Sequence, residues 1–167
     1  AMFGWDVPKC NFNWPVLRDN VLNEVSRLEG LYTQTLTNHQ VELFHERATL
    51  AGPNEVQLAS GRTVSAGKIL IATGARPNMP GIEGIEHAIS TNEVSHLEAI
   101  PKRIVIAGGG YIANEFAGIF HQFGSHVIVV NRSDVILRGY DEQMADRLLQ
   151  ISMTKGIEFR FNSSFKK

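Results

Sequence analysis

Three consecutive glycines, Gly108, Gly109 and Gly110, follow the β-branched run RIVIA and open onto the helical pattern YIANEFAGIF. Gly108, Gly110 and Ala113 fit G-x-G-x-x-G/A between a strand and a helix. Glycine at the first position allows a tight turn. Glycine at the third lets backbone approach a pyrophosphate, which the helix amides and dipole then stabilise. The chemistry this spacing suits is dinucleotide binding, against the plainer alternative of a structural turn. The end of the next strand selects the nucleotide. An NAD site usually places Asp or Glu there, to accept hydrogen bonds from the ribose 2′-hydroxyl. This chain has Asn131 at that place, followed by Arg132 and then Arg138. A carboxylate would repel a 2′-phosphate, whereas two guanidinium forks clamp one, so NADPH is expected over NADH. The other reading of the two arginines is a pair of solvated loop residues. Asp134, the nearby acid, is expected to turn the loop. Glu115 lies one helical turn beyond Tyr111. It suits either an acceptor for the nicotinamide carboxamide or a helix-dipole partner, and the residues alone leave both open.

The elements that position these residues follow from periodicity. From Arg103 the order is strand 103–107, glycine turn, helix 111–123, Gly124 as its stop, strand 126–130, loop, helix 141–154, Gly156 and strand 157–161. This is a Rossmann-like β-α-β-α-β unit, for which right-handed crossovers predict a parallel sheet. Upstream, Leu17, Val21, Val25, Leu28 and Tyr32 put an apolar stripe on a helix over 15–37, expected to pack on a sheet. VELFHERATL, EVQLA and TVSAG predict an antiparallel meander over about 41–66, with SGR as a turn. The continuous apolar run of KILIATG predicts a strand buried on both faces. GARPNMPGIEGIE reads as a crossing between domains, and NEVSHLEAI as a short helix capped by Asn92.

Bulk properties narrow the function classes. At 167 residues the chain is long enough for one substantial core or two pieces of domain, and the formal charge of -1 with dispersed signs leaves no footprint for nucleic acid. No apolar run approaches the roughly 20 residues of a membrane span, and the start shows no secretory pattern. The one cysteine, Cys10, excludes an internal disulfide framework and a cysteine zinc site. It fits a reducing compartment, so the expected location is cytoplasmic, with no metal site.

GGGYIANEFAGIF, followed by NRSDVILRGYDE and preceded by ILIATGARPNMPGI and STNEVSHLEAIPKRIVI, resembles the pyridine nucleotide-disulfide oxidoreductase family over nearly the whole chain. The paired arginines and LRGYDE resemble its glutathione and trypanothione reductase branch rather than the NAD-linked lipoamide branch. The resemblance implies an α/β chain divided into the later part of an FAD-binding domain (1–80), an inter-domain crossing (81–102) and the first half of an NADPH-binding domain (103–167). It implies an oxidoreductase passing hydride from NADPH via FAD to an active-site disulfide that reduces oxidised glutathione, in a homodimer. Gly108, Gly109, Gly110, Tyr111, Ile112 and Glu115 fall on the family's nicotinamide-nucleotide site. Tyr111 matches the ring that lies over the flavin until NADPH displaces it, and Arg132 and Arg138 match the 2′-phosphate clamp. Ala48, beside Arg47, matches a backbone contact to the FAD adenine, and Thr73 and Gly74 fall beside the flavin nucleotide. Tyr32 matches a tyrosine of the disulfide-substrate pocket. By its spacing alone, Tyr32 is equally a core residue of its helix, and Thr73-Gly74 equally a strand stop.

The departures from the family pattern are large. Its chemistry needs two close cysteines, and Cys10 stands outside any CxxxxC pattern. The glycine pattern that holds the FAD pyrophosphate and the C-terminal domain with its His-Glu pair have no counterpart. None of His39, His45, His87, His96, His121 and His126 replaces that pair, so no catalytic residue is expected here. The chain reads as an internal segment, inactive alone and prone to pair through exposed sheet. A non-catalytic nucleotide-binding or interaction module, or a reductase of another disulfide such as trypanothione, stays open at this point.

Overall fold

The computed structural model describes residues 11–166, so Cys10 lies outside the described residues. Helix α1 spans Trp14–Asn38. The Asn13 side-chain oxygen accepts from the Val16 amide at 3.2 Å, and Pro15 sits in the first turn, where its missing N–H leaves nothing unpaired. The apolar stripe does not pack on a sheet. No side chain of α1 is buried, and Tyr32 is 72% exposed. Its anchored end is Trp14, whose indole N–H donates to the Leu97 carbonyl at 2.7 Å.

The meander is antiparallel, in the order β1 (Ala48–Gly52), β2 (Glu55–Leu58), β3 (Thr63–Ser65). Ser60-Gly61-Arg62 makes the β2–β3 turn, closed by Leu58 N–H donating to Arg62 O at 2.8 Å. The meander starts later than the sequence pattern predicts: residues 41–47 are not strand. Glu42 and Phe44 instead meet the Arg62 guanidinium, by an ion pair at 3.3 Å and a cation–π contact.

KILIATG is not a strand, and Leu70 and Ile71 are exposed. A strand exists only where neighbouring backbone takes up its N–H and C=O groups. Among the described residues none pairs with 68–74. The short helix α2 is Thr91–Val94, and its cap is Ser90 rather than Asn92. The Ser90 hydroxyl accepts from the Asn92 amide, while the Glu93 carboxylate accepts from the Ser90 amide and hydroxyl, a capping box. Those Ser90 hydrogen bonds hold the Glu93 carboxyl below its ordinary range. Serine takes the cap because its oxygen, one bond from Cβ, reaches the second amide of the turn.

The second half agrees with its pattern to within a residue or two: β4 (Arg103–Ala107), α3 (Tyr111–Gln122), β5 (His126–Val130), α4 (Glu142–Lys155) and β6 (Glu158–Arg160). The three strands pair in parallel, in the order β4-β5-β6. Val127 and Val129 of β5 are fully buried with Ala117 and Phe120 of α3 and with Ile157. Asp141 caps α4 by accepting from the Met144 amide at 3.0 Å. By compactness the chain divides into two units, Leu22–Asn78 and the chain from Met79 onward with the stretch up to Val21.

The packing of α3 on β5 rests on Phe120, which is 2% exposed. Phe120→Ala is expected to destabilise the parallel-sheet unit by about 3–5 kcal/mol, measured by urea unfolding followed by circular dichroism.

Candidate functional site

The site grows from the junction of β4 and α3. Gly108 turns the chain with φ +113°, a conformation L side chains rarely adopt, and its amide donates to the Val130 carbonyl at 2.8 Å. That bond places the turn at the end of β5. Gly110 is the N-cap of α3 and offers no side-chain acceptor, so the first-turn amides keep their donors. A Cβ on Gly110 would stand in open space. This side of the turn therefore has room for a phosphate at close range. The Asn114 amide group donates to the Gly109 and Gly110 carbonyls at 3.1 and 2.8 Å, holding the turn against the helix.

Gly109 faces the other way. A Cβ built on it would lie 2.6 Å from Asn131 Nδ2 and 2.8 Å from its Cγ. The space beside Gly109 is thus filled by a side chain of this chain. The loop after β5 then returns to the same residue, because Leu137 N–H donates to Gly109 O at 2.8 Å. Arg132 and Arg138, at the two ends of this loop, are exposed. Neither has a hydrogen bond or ion pair among the described residues. Asp134 is exposed as well and neutralises neither of them. The structure therefore brings the glycine turn and the arginine loop together and leaves both guanidinium groups uncommitted.

Tyr111 and Glu115, one turn apart on α3, line one groove of about 560 Å³ with Asn114, Gly118, Leu137 and Tyr140. The Glu115 side chain is exposed and makes no hydrogen bond among the described residues. Ile112 is 43% exposed and does not line the groove. The Tyr140 ring and the groove itself were not legible from the glycine motif. Leu137 and Tyr140 reach it only because the loop after β5 folds back.

The remaining expected site residues lie in the Leu22–Asn78 unit. Ala48 opens β1, opposite Leu58. Tyr32 is on the exposed face of α1. Thr73 and Gly74 sit in the unpaired run after the meander, and among the described residues no hydrogen bond joins them to it. That run does not form the strand end that would hold a flavin nucleotide beside it.

Gly108→Ala is expected to cost about 1–2 kcal/mol through backbone strain alone, since open space surrounds the new Cβ. Thermal unfolding of the variant checks this.

Comparisons with known proteins bear on the family and the fold. The family described as "Pyridine nucleotide-disulphide oxidoreductase" matches residues 6–167. The chain is 44% identical over 160 residues to a glutathione reductase of Burkholderia cepacia, covering 96% of this chain and 35% of that protein. It is 41% identical to a glutathione reductase of Nostoc sp., covering 94% and 34%. A chloroplastic/mitochondrial glutathione reductase of Pisum sativum is 39% identical, with 97% and 29% covered. The chain thus spans roughly a third of the length of these relatives. Among solved structures, the Cu(II) complex of the HOCl-induced flavoprotein disulfide reductase RclA from Escherichia coli superposes with a TM-score of 0.85 at 23% identity. It covers 93% of this chain and 37% of that one, and it establishes the shared fold. With a parallel β-α-β-α-β unit, a glycine turn in its expected place and a family match over nearly its whole length, the chain belongs to the pyridine nucleotide-disulfide oxidoreductase family.

Proposed function

We propose that this chain is the part of a glutathione-disulfide reductase that holds NADPH. In this reading residues 103–167 are the first half of the NADPH-binding domain, residues 1–80 the later part of an FAD-binding domain and 81–102 the crossing between them. The whole protein would transfer hydride from NADPH by way of FAD to a disulfide and so convert oxidised glutathione into two thiols. The observation that carries the nucleotide assignment is the pair of uncommitted guanidinium groups on a loop hydrogen-bonded to the glycine turn. Asn131 stands where an acid would select NAD, and it adds no negative charge beside a 2′-phosphate.

The residues fit a pyridine dinucleotide in three respects. Space lies open beside Gly110, the first-turn amides of α3 have no side-chain cap, and the groove along Tyr111 and Glu115 continues from the same helix end. Each residue then has a binding task. The α3 amides receive the pyrophosphate, Arg132 and Arg138 neutralise the 2′-phosphate, Tyr111 covers the groove with an aromatic face, and Glu115 offers an acceptor for a carboxamide. NADPH supplies the hydride when bound, and the protein supplies orientation and distance.

Ala48, Thr73, Gly74 and Tyr32 do not assemble into a flavin or substrate cradle among the described residues. The family membership and the glutathione reductase relatives support FAD and glutathione disulfide for the whole protein. The single cysteine supports a reducing compartment such as the cytoplasm. No helix among the described residues is long and apolar enough to cross a membrane.

Arg132→Ala and Arg138→Ala are each expected to lower the preference for NADPH over NADH by about 1–3 kcal/mol, with little change in NADH binding. Titration of both nucleotides by calorimetry checks this, and an equal loss for both would remove the 2′-phosphate assignment. Self-association is also expected, because Leu70 and Ile71 are 89% and 67% exposed and apolar surface of this kind drives pairing. Sedimentation equilibrium that returns a monomer at high concentration would count against it.

A further inference from the structure

Asn131 does more than omit a charge. Its side-chain amide donates to the Val135 carbonyl at 2.7 Å and to the Ser133 hydroxyl at 3.0 Å, and that hydroxyl donates to the same carbonyl at 2.9 Å. The same amide lies in the space that a Cβ on Gly109 would occupy. Its backbone is held as well. Asn131 N–H donates to Arg160 O at 2.8 Å, and Ser163 N–H donates to Asn131 O at 3.1 Å. The far end of the loop returns to Gly109 through Leu137 N–H, with Leu137 at φ +50°. A leucine in the left-handed region persists only where its surroundings over-determine it. Arg138 is the next residue.

Resting on the NADPH reading above, we propose that Asn131 is the positioning residue that holds the arginine loop in its phosphate-binding shape. It does so by donating into the loop at Val135 while fitting against the missing side chain of Gly109. Gly109 is then glycine for the sake of Asn131 and not for the nucleotide. Its φ is not in the left-handed region, and the three atoms nearest to a side chain built there all belong to the carboxamide. The chemistry at position 131 is also directional. A carboxylate has the same shape, but it has no hydrogen to give to Val135 O and would set two acceptors against each other. An acid there would therefore act twice, repelling a 2′-phosphate and releasing the loop that carries Arg138.

The test separates these two effects with Asn131→Leu, which keeps size and neutrality but has no donors, and Asn131→Asp. Dissociation constants for NADP⁺ and NAD⁺ are measured with hydrogen exchange at the Leu137 amide. Asn131→Leu is expected to speed Leu137 exchange and to weaken NADP⁺ about tenfold more than NAD⁺. A merely structural role would weaken both nucleotides to the same extent. If Asn131→Leu behaves as the native protein and only Asn131→Asp loses the preference, position 131 acts by charge and the proposal is overturned. Gly109→Ala supplies a second, independent measurement. It should release the Leu137 amide in the native background and have no further effect beside Asn131→Ala, whereas additive effects of the two changes would overturn the contact. Native protein that does not distinguish NADP⁺ from NAD⁺ would sink the NADPH reading instead, with Leu137 exchange still deciding whether Asn131 holds the loop.

Discussion

The candidate site depends on a short return path. After leaving β5, the chain folds back so that Leu137 donates a hydrogen bond to Gly109, and the Asn131 carboxamide fills the space beside that glycine. Without this return, the two arginines would sit on a free surface loop with no fixed relation to the end of α3. With it, the loop that carries them is tied by a hydrogen bond to the turn that opens α3. A phosphate site needs that coincidence, because a positive side chain contributes little unless its position is held before the ligand arrives.

The parallel sheet is what makes the return possible. Val127 and Val129 are buried against Ala117 and Phe120, which fixes the end of β5 relative to the start of α3. The Gly108 amide then extends the β4–β5 pairing by one bond to Val130, so the turn begins level with the loop. Burial of the strand and helix therefore sets the distance over which Asn131 can reach Gly109. The strained Leu137 backbone is tolerated because hydrogen bonds hold it on both sides, from Leu137 to Gly109 and from Tyr140 to Leu137.

The other unit shows the limits of pattern. The meander forms where strands follow one another through short turns, so each finds its partner nearby in sequence. KILIATG has the composition of a buried strand, yet strand formation is a property of a pair, and no partner lies beside it among the described residues. The α1 stripe makes the same point. Its spacing specifies a helix with one apolar face, and spacing carries no information about what that face meets. Residues 41–47 alternate as a strand would, but Arg62 draws Glu42 and Phe44 into a side-chain cluster.

Periodicity, turn residues and helix stops were local signals, and they determined by themselves the order and bounds of the β-α-β-α-β unit, the glycine turn and the loop bearing Arg132 and Arg138. Each depends on residues a few positions apart, where the covalent chain already constrains geometry. Asn131 was legible only as a missing acid. Its packing against Gly109 joins residues far apart in the chain, and a contact of that kind exists only once the strand, helix and loop have docked. Tertiary structure alone therefore decided which glycine faces open space and which faces a side chain. The two are neighbours of the same type, and only the direction in which a Cβ would point, set by the fold of the turn, tells them apart.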